Sequence, residues 1–412
     1  GSMTVEIDGA NNIIKTNTIN EVTSANGITI DGLNIKDSKL VTANSVVEAN
    51  ITNGAVTSGK IASGVVPTLR PNAKPLVVNS NMAIAQRNSG TVAQSDGSNE
   101  GYATVDRMNL VFGNSAGGTI TTSRDNTAPT GFGQSMKFDV TSADGSVASN
   151  QIVYMKTTLE AQDIRNSGWN YTSSSSYLTL SFWVRSSKTG IYCAFLETLD
   201  ASYMRSSEYT ISSADTWEQK VLTFPGKTEL VFNNDNGAGL NIGFTFAVGT
   251  DRDGTNNTWE TTNYGTSNQV NFLDSTSNIL YLTGIQLEVG EFSSTNLPPF
   301  QHESYGDNLL RCQRYYQLVQ NWSGGVVNSS TAYINATFWK TMRTTPSVTT
   351  TGALNGNDIA NNVNQSSGQV TLHGANENGF WGGIGNFSSL TTNNPFNSRF
   401  QNTNKLAFSS EL

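Results

Sequence analysis

The sequence predicts an all-β protein in three parts: an intertwined stalk over residues 4–68, a β-sandwich over 76–304, and a short helical joint with a small β-rich tip over 305–412. Three observations carry that prediction. Charged residues make up only 14 % of the chain, against about 25 % in an average soluble domain. Ser, Thr and Asn, at 46, 49 and 48 residues, form about a third of it, with 38 Gly besides. A branched apolar residue recurs every five positions near the N-terminus, and beyond it short alternating runs are separated by Gly/Asn-rich turns.

The same composition excludes other classes. Charge and helix formers are too sparse for a coiled coil, and no apolar run of about 18 residues spans a membrane. A net charge of −8 without Lys/Arg blocks argues against nucleic acid as a partner. Thirteen Tyr, 18 Phe and 7 Trp are too many aromatics for a disordered polar tract. A β-rich extracellular or particle-surface protein remains. Gly1-Ser2-Met3 reads as a tag-cleavage scar before a truncated start, and the chain is expected to be a fragment.

The stalk rests on its repeat. Between Lys39 and Thr68 the chain divides into fives, placing Val41, Val46, Ile51, Val56, Ile61 and Val66 at a constant interval. Five matches neither the helix period of about 3.6 nor the strand period of about 2. Gly54, Gly59 and Gly64 supply the break in alternation that an odd repeat demands. One branched side chain per repeat cannot build a core within a single chain. Several chains wound about one axis bury the stripe, and closed cyclic symmetry is the common solution, so the stalk is read as a homotrimer. The alternative is a flexible Ser/Thr/Asn linker, since Ile28, Ile30, Leu33 and Ile35 repeat less cleanly. Pro67, Pro71 and Pro75 then mark a boundary, because proline fixes φ and removes a donor.

The sandwich rests on alternation. Tyr177–Val184, Lys220–Phe224, Leu240–Phe246 and Ile279–Leu287 read as strands, separated by turn-rich stretches such as Ser173–Ser176, Asn233–Gly237 and Asp251–Asn257. Many short strands with such turns build a sandwich or jelly roll. Cys193 lies in one apolar run and Cys312 in a short helical pattern. Two distant thiols without a Cys-x-x-Cys pair make neither a zinc site nor a disulfide framework, so both are expected as buried free thiols. His302 and His373 are too few for the usual metal cluster, and neither lies in a nucleophile-elbow context.

Five phrases in this region carry a resemblance: NSNMAIAQR from Asn79 to Arg87, YATVDR from Tyr102 to Arg107, LSFWVRSSKTG from Leu180 to Gly190, LTGIQLEVG from Leu282 to Gly290, and YGDNLLRCQRYY from Tyr305 to Tyr316. Together they resemble the distal part of bacteriophage tail fibres, and the phrase from Ile51 to Ile61 is similar to phage fibre shafts. The resemblance covers nearly the whole chain, with TGIQLEVG and CQRYY its most specific parts. It implies a carbohydrate-binding-module-like jelly roll and a homotrimeric receptor-binding protein on the virion. It also implies adhesion to a host-surface glycan or lipopolysaccharide, and attachment to other virion tail proteins through sequence N-terminal to this chain. Met108 departs from the pattern, standing where related sequences usually carry Trp after Asp-Arg.

Those motifs also have a reading from their residues. Gln286 and Glu288 alternate with Ile285, Leu287 and Val289, which makes them exposed or network-forming strand residues rather than an acid/base pair. Leu309, Cys312 and Tyr316 fall at i, i+3 and i+7, one face of a short helix that joins sandwich to tip.

In the tip, residues 313–412 hold only eight charged side chains, and Asn is dense. Ala332–Trp339 and Gln369–His373 read as strands, and the phrase from Phe338 to Val348 resembles the start of a small β-domain that follows CQRYY in phage fibres. Sugars present hydroxyls and apolar ring faces, which flat aromatic rings flanked by amides and hydroxyls can bind. Trp322, Phe380, Trp381 and Phe387 sit among Asn, Ser and Gly; glycine-flanked Trp381 is the first choice of stacking platform, with Asn376 and Asn378 as amide donors. Alternatively these aromatics fill the core of the tip or its trimer interface.

Candidates for chemistry are thin. Asp251, Asp253 and Asn256 have the opening spacing of a calcium loop, but Thr262 stands where an EF-hand needs its bidentate Glu. A looser structural calcium or an ordinary Asx turn remains. The pairs Glu288/Glu291 and Asp251/Asp253 lie outside the aromatic-rich stretches, and glycoside cleavage needs two converging carboxylates. The expectation is non-enzymatic, multivalent adhesion without a cofactor or membrane insertion. The other readings are a polysaccharide depolymerase and a purely structural fibre spacer.

Overall fold

The computed structural model describes residues 74–360, 363–398 and 404–412, together with five short strands between residues 6 and 40. The chain divides into two compact units, Gly1–Val66 and Pro67–Leu412. In the first, β1 (Glu6–Asp8) pairs antiparallel with β2 (Ile13–Lys15), and β3 (Ile28–Ile30), β4 (Leu33–Lys36) and β5 (Lys39–Leu40) form a small antiparallel sheet. The five-residue repeat beyond Leu40, and with it the trimeric-stalk expectation, lies outside the described residues.

The second unit begins with a β-sandwich. Its strands are β6 (Thr91–Gln94), β7 (Asn109–Gly113), β8 (Thr119–Asp125), β9 (Ser135–Ser142), β10 (Ile152–Glu160) and β11 (Tyr177–Ser186). They continue with β12 (Gly190–Thr198), β13 (Tyr203–Ile211), β14 (Glu218–Pro225), β15 (Ala238–Val248) and β16 (Ile279–Val289). One sheet runs β13-β12-β15-β10-β7 and the other β14-β11-β16-β9-β8-β6. All four strands read from alternation are present, each somewhat longer than its apolar run.

Alternation places the core. Leu178, Leu180, Phe182 and Val184 of β11 face Leu240, Ile242, Phe244 and Phe246 of β15, all buried, because every second residue of a strand points the same way. Phe182 meets Phe244 edge-on, with ring centroids 4.8 Å apart. Met108, the departure from the fibre pattern, is buried in this core. Gln286 is buried too, and its amide donates to Glu288 (3.1 Å) and to the Pro298 carbonyl (3.0 Å), so the two are a network within the strand. Cys193 and Cys312 are free and buried. Burial pushes the Cys193 thiol up to about 11 and the Cys312 thiol well above its ordinary value.

A short helix, α1 (Ala161–Arg165), follows β10, and α2 (Tyr305–Cys312) joins sandwich to tip. Ser304 caps α2, its hydroxyl accepting the Asp307 N–H at 3.1 Å. The helix stops at Cys312 instead of continuing to Tyr316. Arg314 and Tyr315 turn aside to Glu160, at the end of β10, and Tyr316 opens a strand paired with Ser409. No helix among the described residues is long and apolar enough to cross a membrane.

The tip contains β17 (Tyr316–Val319), β18 (Ser323–Asn328), β19 (Thr331–Thr337), β20 (Ser347–Thr350) and β21 (Leu354–Asp358). Next come β22 (Val363–Asn376), β23 (Gly379–Gly385), β24 (Pro395–Ser398) and β25 (Leu406–Ser409). Strands β18-β19-β23-β22-β21-β24 close into a barrel, and β17-β25-β20 form a small sheet.

Charge closes the junction between sandwich and tip. Arg314 pairs with both oxygens of Glu160 (2.6 and 2.8 Å), and the Tyr315 hydroxyl donates to the same carboxylate at 2.7 Å. Arg107, 1 % exposed, pairs with Glu411, which also takes Arg87 at 3.1 Å. The Arg107 guanidinium lies 3.5 Å over the Tyr315 ring and that of Arg87 3.7 Å over Tyr316. Asn79 adds a staple, its N–H donating to Asn308 of α2 and its amide to the carbonyls of Ile84 and Asp106. Burial acts to raise the Glu160 carboxyl, but Arg314 and Tyr315 outweigh it and hold the group below its ordinary range. At Asp106 burial prevails over the Gln86 hydrogen bonds and the carboxyl is raised.

Candidate functional site

The outer face of the barrel gathers the exposed rings of the tip. Along β19, Ala332 and Ile334 point into the core while Tyr333, Asn335 and Thr337 point out. On β23, Phe380 points in and its neighbour Trp381 out, 51 % exposed. A register shift between Leu372 and Gly374 on β22 leaves His373 on the surface beside them. His373 stacks on Trp381 with centroids 4.9 Å apart at 29°, and Tyr333, 45 % exposed, stands edge-on to His373 at 5.1 Å and to Trp381 at 6.0 Å.

Two glycines make room for this arrangement. A Cβ on Gly374 would sit 2.7 Å from the Trp381 indole nitrogen, and one on Gly383 would sit 3.0 Å from His373 Nε2. The rings therefore lie close against bare backbone. Beside Trp381 is a shallow hollow rimmed by Asn335, Thr337, Asn376 and Asn378, with no Asp, Glu, Lys or Arg in its lining.

Of the residues picked out in the sequence, the structure brings Trp381, Asn376 and Asn378 together at this hollow. Asn376 shapes the β22–β23 turn, its side-chain oxygen accepting the N–H groups of Asn378 (2.8 Å) and Gly379 (3.1 Å). The Asn378 oxygen accepts from the Thr341 hydroxyl at 3.1 Å, so each amide keeps its NH2 group as a donor toward a ligand. Trp322 and Phe380 require correction as stacking platforms. They are 4 % and 5 % exposed and fill the core, Trp322 stacked on Phe396 at 5.7 Å and Phe380 tilted against Phe408 at 4.7 Å. Phe387 lies in the same core, 5.2 Å from Phe396. Tyr333, Asn335, Thr337 and His373 were not singled out as binding residues by sequence, although the first three share one parity in the run Ala332–Trp339.

Two of the three calcium-loop candidates have side-chain partners within the protein. The Asp251 carboxylate accepts from the Ser149 hydroxyl (2.7 Å), the Asn256 side-chain oxygen accepts the Glu208 N–H (3.1 Å), and Asp253 bridges to Gly265 through the backbone. Among the described residues, no group of three or more His, Cys, Asp or Glu side chains is placed to hold a metal ion.

No protein-family model matches the chain, and no curated protein does. Solved structures give weak likenesses. The enzymatically active domain of tailspike protein 4 of bacteriophage CBA120 is 14 % identical, with a TM-score of 0.25 over 49 % of this chain and 21 % of that one. The present chain thus spans about a fifth of that tailspike's length. A family 11 carbohydrate-binding module of a Clostridium thermocellum cellulase is 12 % identical over 47 % of this chain and 95 % of its own, with a TM-score of 0.26. The N-terminal cellulose-binding domain of Cellulomonas fimi β-1,4-glucanase C is 13 % identical over 54 % and 99 %, with a TM-score of 0.24. Likeness at this level shows neither substrate nor activity.

Proposed function

We propose that this chain is a non-enzymatic receptor-binding protein of a phage tail fibre, which holds a neutral host-surface glycan on the Trp381 face. The observation that carries the reading is the half-exposed Trp381 ring, backed by His373 and Tyr333 and bordered by uncharged amides and hydroxyls. Flat rings take the apolar face of a sugar, while amides and hydroxyls both donate to and accept from its hydroxyl groups. The uncharged lining favours a neutral sugar over a strongly anionic one. The tail-fibre part of the reading rests on the NSNMAIAQR, TGIQLEVG and CQRYY phrases, whose residues build the sandwich and its junction. On a homotrimeric fibre joined to other tail proteins, three weak sites act together, and linked sites raise avidity by about 10²–10⁴.

Adsorption to a panel of bacterial strains tests the proposal. The wild-type chain is expected to bind a subset of strains and Trp381→Ala to lose that binding at an unchanged melting temperature. Equal binding by the variant overturns the face. Release of new reducing ends from the polysaccharide of a bound strain overturns the non-enzymatic part.

A further inference from the structure

The register of the barrel extends the Trp381 face into a longer feature. Trp381 of β23 pairs with Asn335 of β19, Asn335 with Ser323 of β18, and Ser323 with Asn397 of β24. Paired residues on neighbouring strands point to the same face. Trp381, Asn335 and Ser323 are exposed, and Asn397 is half-buried beside the inward-pointing Phe396. The four therefore form a continuous row around the outside of the barrel, across the strands. Three strand spacings of ~4.8 Å give it a length of ~14 Å.

Two shallow hollows share the middle of this row. One lies beside Trp381 and the other beside Ser323 and Asn397, and both are lined by Asn335, Ala336 and Thr337. Neither contains an Asp, Glu, Lys or Arg side chain. The side chains of Ser323, Asn335 and Asn397 make no hydrogen bond among the described residues. Such groups are solvated while the face is empty, and a ligand covering them must replace that water with its own donors and acceptors.

We infer that this row is a cleft for an extended neutral oligosaccharide, laid across β23, β19, β18 and β24 with one ring on Trp381 and the following sugars hydrogen-bonded by Asn335, Ser323 and Asn397. The inference rests on the glycan-binding reading of the Trp381 face and adds to it the length and direction of the ligand. An extended peptide is a poorer fit, because a closed barrel has no free strand edge to which a peptide backbone can add. An ionic partner finds no counter-charge along the row.

The test titrates the full chain with neutral oligosaccharides of one to six sugars, first as a printed array and then in solution with the members that bind. Affinity is expected to rise about tenfold or more between the monosaccharide and the tetrasaccharide, since each added hydrogen-bonded contact is worth a few-fold. Asn397→Ala and Ser323→Ala are each expected to bind the monosaccharide like wild type and to lose several-fold for the tetrasaccharide, with melting temperatures unchanged. Trp381→Ala is expected to lose every length. Affinity independent of length, or wild-type tetrasaccharide binding by both Asn397→Ala and Ser323→Ala, overturns the cleft while leaving the Trp381 face standing if Trp381→Ala still abolishes binding. Wild-type binding by Trp381→Ala, or no binding by any array member, overturns both.

Discussion

The junction between sandwich and barrel and the outer face of the barrel are made of opposite materials. At the junction, Arg107 pairs with Glu411 and Arg314 with Glu160, Arg107 lies over the Tyr315 ring, and the Tyr315 hydroxyl donates to Glu160. The outer face carries rings, amides and hydroxyls and no formal charge in its hollows. Breaking a buried pair strands a charge, so pairs of that kind resist rearrangement. Uncharged groups that water can satisfy cost little when empty and leave the face free to be covered. One region fixes geometry, and the other is kept available.

Breaking the junction has the largest expected effect. Glu411→Gln leaves the 1 % exposed Arg107 facing a neutral amide, and loss of one partner from a buried pair costs about 3–5 kcal/mol. Urea unfolding should register the loss, while glycan binding in the native baseline stays at the wild-type level. Phe396→Ala is expected to cost about 3–5 kcal/mol, because the ring is fully buried in the barrel core. Binding should then fall at a lower urea concentration than the near-UV signal of the sandwich. A single shared transition would show that the two regions unfold as one.

The third test uses pH. The Glu160 carboxyl is depressed in the folded chain, so its stabilising contribution is complete above its unfolded value and is lost as pH falls through the folded one. Asp106 is raised, so its contribution is present below its unfolded value and is lost as pH rises through the folded one. Glu160→Gln should lower stability at neutral pH and flatten the loss of stability on acidification below the ordinary Glu value of 4.5. An unchanged acid limb in that variant would remove Glu160 from the account. The smallest effect on stability belongs to Trp381→Ala, within about 0.5 kcal/mol for an exposed side chain, although its effect on binding is expected to be complete.

The sequence makes the two regions unequally legible. Alternation in Tyr177–Val184 and Leu240–Phe246 reveals strands, because period 2 is a local property. In Phe380-Trp381 the same rule says that one ring is buried and the other exposed. Which is which depends on the closure of the barrel around them. Trp322 lies between Asn321 and Ser323, more polar neighbours than those of Trp381, and yet it is buried, since residues flanking a side chain do not set the direction in which it points. The helical joint was legible in sequence, but the ion pairs that close the junction were not. Arg314 meets Glu160 across 154 residues and Arg107 meets Glu411 across 304, separations at which spacing carries no signal. YATVDR and CQRYY stood out as phrases, and the junction supplies the physical reason: Arg107, Arg314 and Tyr315 are its charged and stacked members.

The separation of Arg107 from Glu411 is also an interval of time. At about 5–20 residues per second during synthesis, the 304 residues between them take on the order of 15–60 s to appear. In the later part of that delay, once β16 is complete at Val289, every sandwich strand has been made while the partner of Arg107 does not yet exist, and Arg107 keeps its water. The last closure of the sandwich waits for the strand that completes the small sheet of the tip. Ribosome pausing within residues 313–410 should therefore prolong the exposure of the sandwich to proteases, even though its own strands were all made earlier.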